Sequence, residues 1–206
     1  MKYRAVSLIT VVCLAAACSA PEVGQWQTFC VDVDTHAFKP AALILGHEKV
    51  ITYQWEFSTS MRYNLGNGDQ CDWNKLHGVS WQLLTNHEDA LMVAWRWNIA
   101  GYWEVAPYYH HEGNTYWAGG CNQPEAMLTD PEITITKVYP GELFLTTLTL
   151  AKDGRASVEI RTNYSYTYFD HYFGIEADNK YREIGPWFGG NRTAPHAMCL
   201  ARKRIE

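Results

Sequence analysis

The chain lacks several signatures that would settle its chemistry at once. It has no Gly-x-Ser-x-Gly elbow, no Cys-x-x-Cys pair and no Glu-x-Asp-x-x-Glu run. The usual marks of serine hydrolases, zinc ribbons and strand-borne glycosidases are therefore missing. After the first 17 residues no apolar run approaches the ~18 residues of a membrane-crossing helix. Basic charge is scarce: 17 Lys and Arg stand against 22 Asp and Glu, for a net −5. The only basic cluster is Arg202-Lys203-Arg204 near the C-terminal end, so nucleic acid is not an expected partner. No Pro/Ser-rich linker, charge block or internal repeat divides the 206 residues, and a single domain follows.

Aromatic residues, by contrast, are plentiful. Nine Trp, 13 Tyr and 7 Phe make up 14% of the chain, a composition that favours pleated, half-buried surfaces over helices. At the N-terminus, Lys2 and Arg4 precede the apolar run Ala5 to Leu14 and the small residues Ala15-Ala16-Ala17. This is the pattern of a secretory signal peptide over residues 1–17. Leu14-Ala15-Ala16-Ala17-Cys18-Ser19 is similar to the lipobox of bacterial lipoproteins, in which the cysteine after the cut is lipidated, although Ala15 stands where that motif prefers Leu. The expected location is thus outside the cytoplasm: lipid-anchored through Cys18 to the outer membrane or cell surface, or else periplasmic or secreted. Membrane contact is expected only through that anchor. Residues 18–25 read as a short tether and 26–206 as the domain, expected as a monomer.

Export suits the remaining cysteines. Cys30, Cys71, Cys121 and Cys199 are even in number and admit three pairings. The expected pairs are Cys71–Cys121, between polar Gly-rich loops, and Cys30–Cys199, between the first and last strands.

Alternation with period two, interrupted by Gly, Pro and Asn/Asp, runs through the chain. Lys49 to Phe57 sets Tyr53, Trp55 and Phe57 on one side. Ala90 to Asn98 sets Leu91, Val93, Trp95 and Trp97 opposite Met92, Ala94 and Arg96. Gly101 to His110 follows closely enough to form a hairpin, whose predicted register places Trp97 across from Tyr102, Arg96 across from Trp103 and Trp95 across from Glu104. Glu132 to Val138, Glu142 to Ala151 and Arg155 to Thr162 continue as a meander, with Asp153-Gly154 as a tight turn. Tyr164, Tyr166 and Tyr168 share a face, and Ala197 to Lys203 closes the chain. Ten to twelve strands are too many for one open sheet with a solvated face. The expected fold is all-β, a two-sheet β-sandwich of jelly-roll (concanavalin-like) type.

Three segments carry a resemblance when taken together in order: Asp72-Trp73-Asn74-Lys75-Leu76-His77-Gly78-Val79-Ser80, His87-Glu88-Asp89-Ala90-Leu91-Met92-Val93-Ala94-Trp95-Arg96-Trp97, and Pro186-Trp187-Phe188-Gly189-Gly190-Asn191 leading to Ala194-Pro195-His196. The chain resembles a family of secreted or lipid-anchored β-sandwich proteins from Bacteroidetes-type bacteria. The resemblance implies fold and compartment, not an activity. The chain departs from that pattern at Met92, where Arg is usual, and at Ala94, where Gly is usual. More distantly it resembles concanavalin-like jelly rolls, a group that includes lectins, glucanases and alginate lyases. The Gln-x-His strand motif of lyases in that group is absent, since Gln82-Leu83-Leu84 lacks the His.

The candidate ligand site is the hairpin of Leu91–Trp97 and Tyr102–His111. Sugars present apolar faces to aromatic rings and hydroxyls to planar donors and acceptors, and Trp97, Tyr102, Tyr108, Glu104, His110 and Arg96 supply both. Arg96, on an otherwise apolar face, calls for either a buried ion-pair partner or a bidentate clamp on a ligand carboxylate or sugar hydroxyls. Adjacent strand residues point to opposite faces, so in His110-His111-Glu112 only His110 and Glu112 could converge on a metal, and only if the strand continues that far. No cofactor is expected except structural calcium, for which Asp32, Asp34, Asp69 and Asp72 are the candidates. Acid/base pairing of Glu104 with Glu56 or Asp72, or of His77 with Tyr108, depends on distances the sequence does not give. The leading expectation is a non-catalytic envelope or secreted module that binds a carbohydrate or another envelope component. The first alternative is a secreted glycan-active hydrolase or lyase using Glu104, His110 and Arg96. The second is a structural envelope lipoprotein that binds a protein partner.

Overall fold

The computed structural model describes residues 22–40, 44–66, 68–82, 88–119, 129–176, 180–189 and 192–205. The expected leader, its cleavage site and the lipidation site at Cys18 lie outside the described residues, as does Cys121 of the second expected disulfide. Cys71, its expected partner, is buried and disulfide-bonded.

Among the described residues thirteen strands form two antiparallel sheets. The first contains β1 (Trp26–Val31), β3 (Val50–Phe57), β9 (Leu143–Leu150), β10 (Arg155–Arg161), β11 (Tyr166–Tyr172) and β13 (Met198–Arg204), in the spatial order β1-β13-β3-β9-β10-β11. The second contains β2 (Leu45–Gly46), β4 (Asn74–Ser80), β5 (Ala90–Asn98), β6 (Tyr102–His111), β7 (Asn114–Trp117) and β12 (Tyr181–Ile184), ordered β2-β12-β4-β5-β6-β7, with β8 (Thr136–Val138) pairing to β6. The two sheets pack as a sandwich, and the expected jelly-roll architecture is the one observed. Two short 3-10 turns, Thr59–Met61 and Gly68–Cys71, are the only helical segments among the described residues. No helix there is long and apolar enough to cross a membrane.

In the first sheet the period-two pattern reads out directly. In β9, Phe144, Thr146, Leu148 and Leu150 are buried while Leu143, Leu145, Thr147 and Thr149 face outward. The inner faces meet at Phe57, whose ring lies 5.6 Å from Trp95, 5.1 Å from Trp103 and 5.1 Å from Phe144. At Thr146 the buried polar groups of this core are paired, as burial favours. The Thr146 hydroxyl accepts from Trp55 Nε1 at 2.7 Å and lies 2.7 Å from His77 Nε2. Burial pushes the His77 pKa down to about 3, with Arg202 acting in the same direction, so the ring is neutral and its Nε2 accepts the Thr146 proton. Cys30 and Cys199 are register partners on β1 and β13 and form the expected disulfide.

Two sequence expectations are corrected. The β5–β6 hairpin pairs Asn98 with Tyr102, Trp97 with Trp103, and Arg96 with Glu104, one residue away from the predicted register. The cause is the turn. Its loop is Ile99-Ala100-Gly101, closed by Gly101 N–H to the Asn98 carbonyl at 2.9 Å, with Ala100 N–H donating to Asn98 Oδ1 and Gly101 at a φ of 101°. A three-residue loop ending in a left-handed glycine shifts the pairing relative to a two-residue turn. The strand expected over Glu132 to Val138 begins only at Thr136, because Asp130 and Ile133 close a turn around Pro131.

Candidate functional site

Antiparallel sheets in sandwiches ordinarily keep one face in water. The second sheet does not. Along β5 every residue from Ala90 to Arg96 is buried, and along β6 every residue from Trp103 to His110. The inner set is Leu91, Val93, Trp95, Trp97, Trp103, Val105 and Tyr109, which face the first sheet. The outer set on β5 and β6 is Ala90, Met92, Ala94, Arg96, Glu104, Ala106, Tyr108 and His110. Register aligns this outer face in rows across the strands. One row holds Ile184, Gly78, Met92, Tyr108 and Trp117; the next holds Arg182, Ser80, Ala90, His110 and Thr115. Small residues at Gly78, Ala90, Ala94 and Ala106 form a low floor between taller side chains.

Lys75 stands over this floor. A register shift between Lys75 and His77 marks a bulge in β4, a device that re-aims side chains and is common beside active sites. With the bulge, Leu76 and His77 are both buried, while Lys75 pairs with Ala94 on the outer side. The Lys75 Nζ donates to the Trp73 carbonyl at 2.9 Å and sits 4.1 Å from the centroid of the Tyr108 ring. Burial drives the amine's pKa down to about 8, against the opposing pull of the Asp72 carboxylate. Tyr108, 9% exposed, has its hydroxyl pushed well above the ordinary phenol range by burial and by Asp72, with a hydrogen bond to Thr115 pulling the other way. The Thr115 hydroxyl also lies 2.8 Å from His110 Nδ1. Tyr108, Thr115 and His110 therefore form one hydrogen-bonded line beneath a lysine that is partly neutral near physiological pH.

Five of the six ligand candidates taken from sequence lie on this outer face and one does not. Trp97 turns inward, 4.8 Å from Trp103 in an edge-to-face contact. Arg96 and Glu104 satisfy each other: Arg96 Nε donates to Glu104 Oε2 at 2.5 Å, Asn98 Nδ2 donates to Oε1 at 2.8 Å, and Arg96 Nη1 donates to the Cys71 carbonyl at 3.0 Å. The guanidinium also lies 4.2 Å over the Trp73 ring. Tyr102, near the hairpin turn, is covered by Lys137 Nζ at 4.7 Å from its ring. Tyr108 and His110 are the two expected residues that meet Lys75. The pairs sketched from His77 and Glu56 do not form, because His77 is on the inner face and Glu56 is exposed on the first sheet.

The calcium candidates do not share a strand face. β1 ends at Val31, so Asp32 and Asp34 lie in a turn, Asp34 with a φ of 60° and Asp32 accepting from Lys39 Nζ at 3.0 Å. Asp69 pairs with Arg192 at 2.7 Å, and Asp72 acts on Lys75 and Tyr108. Among the described residues no group of three or more His, Cys, Asp or Glu could hold a metal ion.

Lys75 is the functional candidate the residue-by-residue reading missed. Its signal was available as the one lysine of the segment Trp73 to Ser80, but the bulge that turns it outward is not legible from alternation.

The architecture places the chain among jelly-roll β-sandwiches, a class that hosts unrelated chemistries. An alginate lyase from Chlorella virus is 13% identical, with a TM-score of 0.45 over 86% of this chain and 81% of that one. The alginate lyase AlyC3 is 11% identical, with a TM-score of 0.48 over 87% of this chain and 75% of that one. Scytalido-glutamic peptidase is 9% identical, with a TM-score of 0.33 over 86% of this chain and 63% of that one. These likenesses concern the fold alone. The sequence matches no protein-family model and no curated protein.

Proposed function

We propose that the protein is a polysaccharide lyase that cleaves a uronate-containing glycan by β-elimination, with Lys75 as base and Tyr108 as acid. The observation that carries this reading is the Lys75 amine, lowered to about 8 and seated over the Tyr108 ring. Environments that push two neighbouring groups apart in pKa assign them opposite roles. Neutral Lys75 takes the proton α to the uronate carboxylate. The electrons of that C–H bond form the new double bond, the bond to the glycosidic oxygen breaks, and Tyr108 supplies the proton that the leaving oxygen needs. Thr115 links the Tyr108 hydroxyl to His110, which gives a path for reprotonation.

A uronate suits this face better than a neutral sugar, because only a carboxylate acidifies the adjacent C–H enough for an amine to remove it. Arg182, in the row of Ser80, Ala90 and His110, is the cation placed to hold that carboxylate. On β5 the outer residues are Ala90, Met92, Ala94 and Arg96, and Arg96 is already paired with Glu104. Hydrolysis by paired carboxylates is less well supported, since Glu104 is committed to Arg96 and Asn98. The binding-module reading is supported less by Trp97, which is half-buried and packs inward against Trp103.

The test is incubation with a panel of polyuronates, alginate among them, with the unsaturated sugar ends read by absorbance and mass spectrometry. Unsaturated ends from the native protein but not from Lys75→Ala are expected. Products carrying an added water at the cut, or no products from the panel, would overturn the reading.

A further inference from the structure

Trp187 is an exposed tryptophan with a fixed backbone. It follows β12 and continues that strand's ladder against β4: its N–H donates to the Lys75 carbonyl at 2.9 Å and its carbonyl accepts from Lys75 N–H at 2.9 Å. On its other side it bridges to Ala37. Directly opposed antiparallel residues project to the same face of a sheet, so the Trp187 side chain shares the outer face with Lys75. One face of the indole is backed by His36, stacked at 5.3 Å with an interplanar angle of 4°. His36 is in turn held by its Nδ1, which donates to the Phe188 carbonyl at 2.7 Å. Trp187 is nevertheless 44% exposed, which forgoes hydrophobic stabilisation that burial would supply. An indole oriented from behind and left open in front is organised for stacking before any ligand arrives.

At the opposite edge of the same face Trp117 lies 6.1 Å from Tyr108, with their rings 12° from parallel. The Lys75–Tyr108 pair therefore lies between two tryptophans. From the Trp187 position to β7 is four strand spacings, roughly 19 Å, comparable to a few sugar units laid across the strands.

We propose that Trp187 is a carbohydrate-stacking platform beside Lys75, binding a sugar unit of an oligosaccharide that crosses the second sheet from Trp187 towards Trp117. The inference deepens the lyase reading and takes its site from it, yet its test does not depend on turnover. Oligosaccharides of two to six units, both uronate-containing and neutral, are titrated into the Lys75→Ala protein and into its Trp187→Ala and Trp187→Phe derivatives. Thermal melts of all three check that the fold is retained.

Trp187→Ala is expected to weaken the longer oligosaccharides by about tenfold, to leave the shortest nearly unchanged, and to be largely rescued by Trp187→Phe. Equal affinities for all three proteins would overturn the platform while leaving the lyase reading to its own assay. Trp187-dependent binding of neutral sugars without any uronate cleavage would support the platform and contradict the lyase. Failure of every oligosaccharide to bind would overturn the platform.

Discussion

The two sheets solve the same packing problem and then diverge. The first alternates strictly, as in β9, where buried Phe144, Thr146, Leu148 and Leu150 are interleaved with outward Leu143, Leu145, Thr147 and Thr149. Its outer face is solvated and carries exposed Tyr166, Tyr168 and Tyr172. The second buries both faces of β5 and β6 and places Lys75, Tyr108 and His110 on the side away from the core. Ionisable groups covered in this way cost stability, and that cost contributes nothing to the sandwich. It does make a lysine with a lowered pKa. The contrast separates a sheet whose outer face meets water from one whose outer face is largely covered and carries the Lys75–Tyr108 pair of the proposed site.

The largest expected effect tests the structural side of this comparison. Cys30 and Cys199, 169 residues apart in sequence, close most of the domain into one loop within the first sheet. Replacing both with Ser is expected to cost about 5 kcal/mol by the chain-entropy estimate, measured by denaturant titration, while kcat at temperatures where the variant remains folded is unchanged. A variant that kept its stability but lost activity would reverse the roles assigned to the two sheets.

Lys75→Ala should do the converse. A loss in kcat of about a thousandfold is expected for removing a general base, with a thermal midpoint equal to or above that of the native protein, since a desolvated amine is removed. A fall in stability with proportionate loss of activity would make Lys75 structural.

The pH profile sharpens the same point. Because burial lowers Lys75 to about 8, its neutral form is the minority below that value. The minority shrinks about tenfold for each pH unit further down. kcat/KM should therefore rise with pH through about 8 and then level, since Tyr108, shifted upward, keeps its proton over that range. A profile that falls over this interval would exclude a neutral amine as base.

The smallest effect belongs to the solvated face. Glu56→Gln, on the outer side of β3, is expected to change stability by less than about 0.5 kcal/mol and to leave turnover unchanged. A clear loss of activity would place chemistry on the first sheet and dissolve the contrast.

Much of the fold was legible because alternation is a local property. Tyr53, Trp55 and Phe57 fall on one side in sequence and in structure, and Cys30–Cys199 follows from first and last strands that pair. The β5–β6 register was not legible, because it hangs on whether Gly101 adopts a left-handed conformation, and one residue there exchanges every cross-strand partner. That single shift matters for function: it gives Glu104 to Arg96. Tyr108 and His110 were found from composition along one strand. Lys75 was not, because a bulge decides its face and because its partner Tyr108 is two strands away. Trp187 appeared only within a segment carrying a resemblance, and its place beside Lys75 required the ladder between β4 and the extension of β12.

The central claim is that the second sheet turns Lys75 into a base, and it can be tested without substrate. Reductive methylation with an isotopic label, followed by NMR titration of the lysine resonances against the Lys75→Ala spectrum, reads the Lys75 amine directly. A midpoint near 8, well below the other lysines, is the result this account requires. A Lys75 midpoint at the ordinary lysine value of 10.5 would contradict it.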